Sequence, residues 1–276
     1  MRLQDRVAVV TGAGRGIGEA IAARLYEEGA RIVVSDIDLP AAQRVSARLN
    51  KEGKRTMAVK ADVSNKAEAE AMVKATVEAF GKVDILVNNA GLSVVGASVD
   101  LEEGLWRTGI DVMLNGVFFC CQAAGREMIR QRSGKIISIA SVNGIVAFPE
   151  RACYCSAKAG VMALTKVLGS EWARFNINVN AVAPGYVETD MVRDLADRGV
   201  LDAGELASRT PMGRMARSTE VADCVVFLAS DESGYIEGQT IVLDGGWTAF
   251  GYVESWLRKA RGGESRTGKA RRKKFA

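Results

Sequence analysis

The chain has 276 residues, 48% of them hydrophobic, enough to bury a full core, and no run of about 18 apolar residues that would read as a membrane span. Its formal net charge of +4 is unevenly placed: residues 258–276 hold nine Lys/Arg against the single acid Glu264, leaving 28 basic and 32 acidic groups, net −4, over residues 1–257. There is no histidine, which removes imidazole acid/base chemistry and argues against a metal enzyme, and the five cysteines lack the paired spacing of a zinc site.

Short β-branched runs alternate with amphipathic stretches, the mark of βαβ units and a parallel sheet. The first strand, Val7–Val10, enters Thr11-Gly12-Ala13-Gly14-Arg15-Gly16-Ile17-Gly18 and then a helix over Ile17–Glu28. A glycine-rich turn between strand and helix is the context in which such a loop binds nucleotide. Gly12 allows the tight turn, Gly16 lets backbone approach a pyrophosphate, and Gly18 allows close helix–strand packing. Exposed N–H groups and the helix dipole then attract phosphate. The second strand, Ile32–Ser35, leads to Asp36, eighteen residues beyond Gly18. A carboxylate there accepts from both adenosine ribose hydroxyls and repels a 2′-phosphate, which favours NAD over NADP. Ile37 adds no positive charge, while Arg15 argues mildly the other way, since a guanidinium in the phosphate loop can grip a 2′-phosphate.

The remaining strands are expected at Thr56–Val59, Ile85–Asn88, Lys135–Ile139, Ile177–Val182 and Thr240–Leu243. Helices fit between them at Pro40–Lys51, Lys66–Phe80, Leu101–Gln131, Ala152–Phe175 and Thr219–Ala229. Pro40 suits a first helical turn, and Gly29, Gly53 and Gly81 fall where helices end. The pattern predicts an α/β fold: a Rossmann-type, doubly wound parallel sheet of about seven strands with helices on both faces. Residues 1–257 are expected to form a single catalytic domain. Residues 188–217, too long for an ordinary connection, read as a functional lid or an insertion.

Without histidine, proton transfer must fall to another group. Tyr154 and Lys158 stand at i and i+4 on one helix face, thirteen residues and more beyond Ser141. A neighbouring ammonium favours tyrosinate and lowers a pKa that starts near 10.

Taken together, these motifs resemble the short-chain dehydrogenase/reductase family over residues 5 to about 247. The resemblance implies cofactor contacts by Gly12, Arg15, Gly16, Ile17 and Gly18, by Asp36, by Asp62 and Val63, and by Asn89, Ala90 and Gly91 of the Asn88-Asn89-Ala90-Gly91 element. It adds Tyr154 and Lys158, Pro184 and Gly185 of the Pro-Gly turn, Val187, and Thr189 for the nicotinamide carboxamide. It makes Asn115, Ser141, Tyr154 and Lys158 the catalytic group, with Tyr154 as general acid/base, Ser141 on the reacting oxygen and Asn115 holding a relay water. It places Ser141, Val142, Asn143, Glu150, Tyr154 and Tyr186 by the substrate, with 188–217 as the variable substrate segment.

Polar Asn143 and Glu150 favour a sugar, polyol or other polyhydroxy substrate, an alcohol or its ketone, oxidised with NAD. The competing enzyme reading is an NADPH-linked 3-oxoacyl thioester reductase, against which Asp36 and the mildly acidic body speak. A reading of another class is a catalytically inactive nucleotide-binding scaffold, which the intact Ser141, Tyr154 and Lys158 disfavour. Trp247 can wall a pocket or, with Phe250, Tyr252 and Trp256, form an intersubunit seam, the reading favoured here, and the resemblance implies a homotetramer or dimer. The basic tail reads as solvated and without fixed structure, with no nucleic-acid module beside it. Free, mostly buried thiols, with neither signal segment nor membrane span in the pattern, give a cytoplasmic expectation.

Overall fold

The computed structural model describes residues 1–50 and 55–251. Seven parallel strands form one sheet in the order β3-β2-β1-β4-β5-β6-β7. They are β1 (Val7–Thr11), β2 (Arg31–Asp36), β3 (Thr56–Lys60), β4 (Ile85–Asn88), β5 (Gly134–Ile139), β6 (Ile177–Pro184) and β7 (Thr240–Leu243). All seven expected strands are present. β1 and β4 are buried at every residue, which is why they read as unbroken apolar runs.

Side chains alternate between two cores. On one face Val10, Val34 and Ile137 pack with Ile21 and Leu25 of α1 (Gly16–Glu27) and with Val225 of the helix over Ser218–Ala229. On the other face Val9, Leu86 and Ile136 meet Met72 of the helix over Lys66–Phe80, Met128 of that over Gly116–Gln131, and Val161 of that over Ala152–Trp172. In chain order the helices are α1, α2 (Leu39–Leu49), α3 (Lys66–Phe80), α4 (Glu103–Ile110), α5 (Gly116–Gln131), α6 (Ala152–Trp172), α7 (Asp190–Asp197), α8 (Ala203–Arg209) and α9 (Ser218–Ala229).

One expectation changes and one gains detail. The single helix over Leu101–Gln131 is two helices, α4 and α5, joined by a π-helical turn at Asp111–Asn115. The glycines on either side show what the break accommodates: a Cβ on Gly109 would lie 2.3 Å from Cys153 Sγ, and one on Gly116 would lie 2.8 Å from Val63 Cγ2. The 188–217 segment, read as a lid or an insertion, carries two short helices, α7 and α8, and is tied off at its base by the Val187–Ala216 bridge. Lys51, Gly53, Tyr252, Trp256 and the basic tail lie outside the described residues. No helix among the described residues is long and apolar enough to cross a membrane.

The chain runs β1, β2, β3 toward one edge and then returns to place β4 beside β1 on the other side. That reversal opens a crevice at the carboxyl ends of β1 and β4, where an open α/β sheet takes its ligand.

Candidate active site

The start of α1 is shaped as an anion cradle. Gly12 and Gly16 take left-handed φ values of 60° and 61°. A Cβ on Gly16 would meet nothing within 4 Å, whereas one on Gly18 would lie 2.2 Å from Gly12 O. Gly16 therefore borders open space and Gly18 is pressed against the loop. Arg15, exposed at the N-cap, supplies no side-chain cap, so the first-turn N–H groups have no side-chain acceptor there. Asn89 holds the loop itself: its Nδ2 donates to Thr11 O at 3.0 Å and Gly12 O at 2.9 Å. The N–H groups of Asn89 and Ala90 donate to Thr11 Oγ1 at 3.0 and 3.2 Å.

Asp36 at the end of β2 accepts from the Gly14 N–H at 2.9 Å and the Asp38 N–H at 3.0 Å, which fixes its carboxylate beside the loop. Asp62 accepts from the N–H and hydroxyl of Ser64 at 2.9 and 2.6 Å, and Val63 is buried next to it. Gly185 donates to Leu243 O at 2.8 Å beyond Pro184, while Thr189 caps α7 by accepting from the Val192 N–H at 3.3 Å. Gly91 backs toward Lys158: a Cβ there would be 3.9 Å from Nζ. The open cradle at Gly16, the helix start without a side-chain cap and the positioned Asp36 carboxylate fit a dinucleotide.

Across the crevice, Ser141 caps the short turn Val142–Gly144, its Oγ accepting from the Asn143 N–H at 3.2 Å. Its hydroxyl faces Tyr154, which stands in the first turn of α6, and favours the ionised phenol. Burial pushes the Tyr154 phenol above its ordinary value, opposed by Ser141 and by the Arg151 charge. The depression expected from Lys158 is thus not seen. Lys158 is 4% exposed, its Nζ donates to Ile139 O at 2.6 Å, and it lies 5.7 Å from the Tyr154 ring centroid. Desolvation lowers Lys158 to about 8. Asn115 closes the π turn and donates to Asp111 Oδ1 at 2.8 Å. A π turn next to a candidate site is a frequent arrangement.

Tyr186 is pushed by burial to about 12, with Asn143 among the neighbours that oppose the rise. Its ring meets Phe148 at 6.3 Å and Trp247 at 5.0 Å, and the Arg209 guanidinium covers Trp247 at 4.8 Å. Trp247, read as a pocket wall or a subunit contact, packs edge-on against Tyr186. Glu150, expected at the pocket mouth, is exposed, with a left-handed φ of 62°, and only its backbone O is engaged, by the Gly96 N–H. The next residue, Arg151, turns inward instead: it is 8% exposed and donates to Ser93 Oγ at 2.7 Å. Sequence reasoning missed Arg151, although its place three residues before Tyr154, on the same face of a helix start, was available as a signal. Of the thiols flanking Tyr154, Cys153 is buried and raised by desolvation, while Cys155 is half-buried.

An open, doubly wound sheet with a phosphate cradle on one side of its crevice and a Ser-Tyr-Lys cluster on the other defines a nicotinamide-dependent oxidoreductase. A family model described as enoyl-(acyl carrier protein) reductase matches residues 12–248. A subunit of the (hydroxy(phenyl)methyl)succinyl-CoA dehydrogenase of Thauera aromatica is 40% identical over 253 residues, 91% of this chain and 99% of that protein. The 3-oxoacyl-(acyl-carrier-protein) reductase of Staphylococcus aureus is 42% identical over 240 residues, 87% and 96% of the two chains. The crystal structure of a gluconate 5-dehydrogenase from Burkholderia cenocepacia, in complex with NADP and tartrate, superposes with a TM-score of 0.86 at 39% identity, covering 90% of this chain and 97% of that one. The chain belongs to the short-chain dehydrogenase/reductase family, and it is an oxidoreductase that interconverts CH–OH and C=O groups with a nicotinamide cofactor.

Proposed function

We propose that the protein is an NAD-preferring dehydrogenase of a polar secondary alcohol, with residues 1–257 as one catalytic unit and 188–217 as its substrate segment. The observation that carries the chemistry is the convergence of Ser141, Tyr154 in the first turn of α6, and buried Lys158 one turn further on, its Nζ 5.7 Å from the Tyr154 ring centroid. Tyr154 takes the hydroxyl proton in oxidation and returns it in reduction. Ser141 donates to the same oxygen and steadies the charge that develops on it. Lys158 holds the nicotinamide ribose and supplies positive charge beneath the phenol, and Asn115 keeps a water in the proton path to solvent. The bound nicotinamide supplies the hydride acceptor or donor. The amides of Gly16, Ile17 and Gly18 hold the pyrophosphate, with Gly12 and Arg15 shaping the loop. Asp62, Val63, Ala90, Gly91, Pro184, Gly185, Val187 and Thr189 line the rest of the cofactor path.

Asp36 supports NAD: two backbone N–H bonds fix its carboxylate where a ribose 2′-phosphate would meet a like charge. The polar side chains of Asn143 and Tyr186, beside Tyr154, support a polar substrate, and the gluconate 5-dehydrogenase likeness agrees. The 42% identity to a 3-oxoacyl thioester reductase favours the second reading, an NADPH-linked reductase of acyl thioesters. Exposed Leu105, Trp106, Phe118 and Val167 on α4, α5 and α6 support assembly into a dimer or tetramer.

Initial rates at 340 nm with NAD and NADP, over polyols, hydroxy acids and 3-hydroxyacyl thioesters, test the reading. We expect kcat/KM to favour NAD by about tenfold or more and Asp36→Ala to erase that preference, a change of about 1.4 kcal/mol. Preference for NADPH and a 3-oxoacyl thioester would establish the second reading instead.

A further inference from the structure

Three charged side chains among the described residues are buried: Asp84, Lys158 and Arg151. Asp84 is paired with Lys82 at 2.9 Å and Arg6 at 3.9 Å. Lys158 belongs to the Tyr154 cluster. Arg151 has neither role. Among the described residues no carboxylate lies within ion-pair distance of it, and Glu150, its neighbour in sequence, is at the surface. Its guanidinium has one hydrogen bond, to the neutral Ser93 hydroxyl, and sits 5.8 Å from the Phe148 ring centroid. None of its other nitrogens is among the sealed polar atoms without a partner, so its remaining donors keep access to open space. A desolvated cation without a counter-charge is costly, and a planar fork of donors is the geometry that pairs with a carboxylate.

Its position says where that counter-charge belongs. Arg151 is the N-cap of α6 and precedes Tyr154 by three residues, so the two share a helix face with Cβ atoms about 5–6 Å apart. Its charge acts on both Tyr154 and Tyr186. The guanidinium is therefore on the same side of α6 as the phenol that would protonate the substrate oxygen.

We propose that Arg151 is a substrate anchor and that the compound turned over is a short hydroxy acid, its carboxylate paired with Arg151 and its carbinol at Ser141 and Tyr154. This rests on the dehydrogenase reading and adds the chemical class of the substrate. Ser93 orients the guanidinium through its accepted hydrogen bond, and Phe148 and Tyr186 exclude water from the pair.

The test uses the full chain loaded with NAD, with 2- and 3-hydroxybutyrate and their methyl esters as probes. Turnover is read at 340 nm and binding by tryptophan fluorescence. Wild-type enzyme is expected to prefer one of the acids over its ester. Arg151→Gln should lower that acid-to-ester ratio of kcat/KM by about 30-fold or more, chiefly through KM of the acid. Arg151→Lys, which keeps the charge and loses the fork, should keep part of the ratio, and it carries the test if the Gln variant does not fold. Equal use of acid and ester by the wild type, loss of both alike in a folded Arg151→Gln, or no binding of either acid would overturn the proposal. Acids that bind through Arg151 without turnover by NAD or NADP would refute the dehydrogenase reading and leave the anchor standing. Turnover of neutral polyols with no preference for acids would do the reverse.

Discussion

Replacing Lys158 with Met should make the cofactor-free protein more stable while removing its activity. The lysine is 4% exposed, and desolvation drives it from an ordinary 10.5 to about 8. A difference of that size corresponds to about 3 kcal/mol against the charged form in the folded state. Lys158→Met removes that cost and keeps the apolar stem, but it also removes the Nζ hydrogen bond to Ile139 O, worth about 1 kcal/mol. The net gain expected near neutral pH is about 2 kcal/mol. Its pH dependence has a definite sign. Because the folded pKa lies below the unfolded one, the wild type carries the full cost below about pH 8 and regains stability as pH rises toward 10.5. The advantage of the variant must therefore shrink across that window. Urea unfolding at equal protein concentration and without cofactor, at about pH 7 and about pH 9.5, reads both quantities. A variant no more stable than wild type at neutral pH, or a difference that does not move with pH, would refute the reasoning.

Tyr154→Phe should lower turnover by about 10³-fold while the cofactor dissociation constant, from fluorescence quenching, stays within about threefold. Because burial holds that phenol above its ordinary value, oxidation by the wild type should climb through the alkaline range and reduction should fall; a flat profile would contradict the assignment. Gly18→Ala puts a Cβ 2.2 Å from Gly12 O, a clash with backbone that no rotamer relieves. It should cost about 1–3 kcal/mol in thermal unfolding and weaken the cofactor in the same variant, whereas stability lost without affinity would separate Gly18 from the cradle. Cys120, Cys121 and Cys153 are buried, with Cys121 pushed to about 12, so a thiol reagent should spare all three in the native protein and label them after unfolding.

The parts of the fold that the sequence made legible are those where one local rule decides the outcome. Parallel strands covered on both faces run apolar, so β1 and β4 could be read most easily from composition, while the partly exposed edge strands β3 and β7 were legible from β-branched residues and the turn signals around them. The phosphate loop was legible because its glycine spacing fixes backbone φ at Gly12 and Gly16 and close contact at Gly18. The π turn was not, since one extra residue in a turn leaves the amphipathic pattern on either side intact. Only Gly109 and Gly116, wedged against Cys153 and Val63, mark it. Helices α7 and α8 have eight and seven residues, too short to show a period, though their N-caps Thr189 and Asp202 were in view. Arg151 eluded the sequence for a different reason. Whether an arginine beside an acid turns inward depends on the backbone there, and the left-handed Glu150 sends the acid outward as Arg151 enters.

That local turn decides the electrostatics of the site. Tyr154 stands in the first turn of α6, where the helix dipole is positive, with Arg151 three residues before it and Lys158 four after. All three favour the phenolate, and burial opposes them strongly enough that the phenol stays above its ordinary value. The balance is sensitive because each cation is itself desolvated. Charge brought in beside either one changes the field at the phenol without touching it. A substrate carboxylate paired with Arg151 would cancel one of the three favouring terms and raise the pH at which Tyr154 becomes the base of oxidation. An uncharged alcohol would leave Arg151 acting in full and favour the phenolate that oxidation needs. On the proposed reading, oxidation of a hydroxy acid should therefore need a higher pH than oxidation of its uncharged ester.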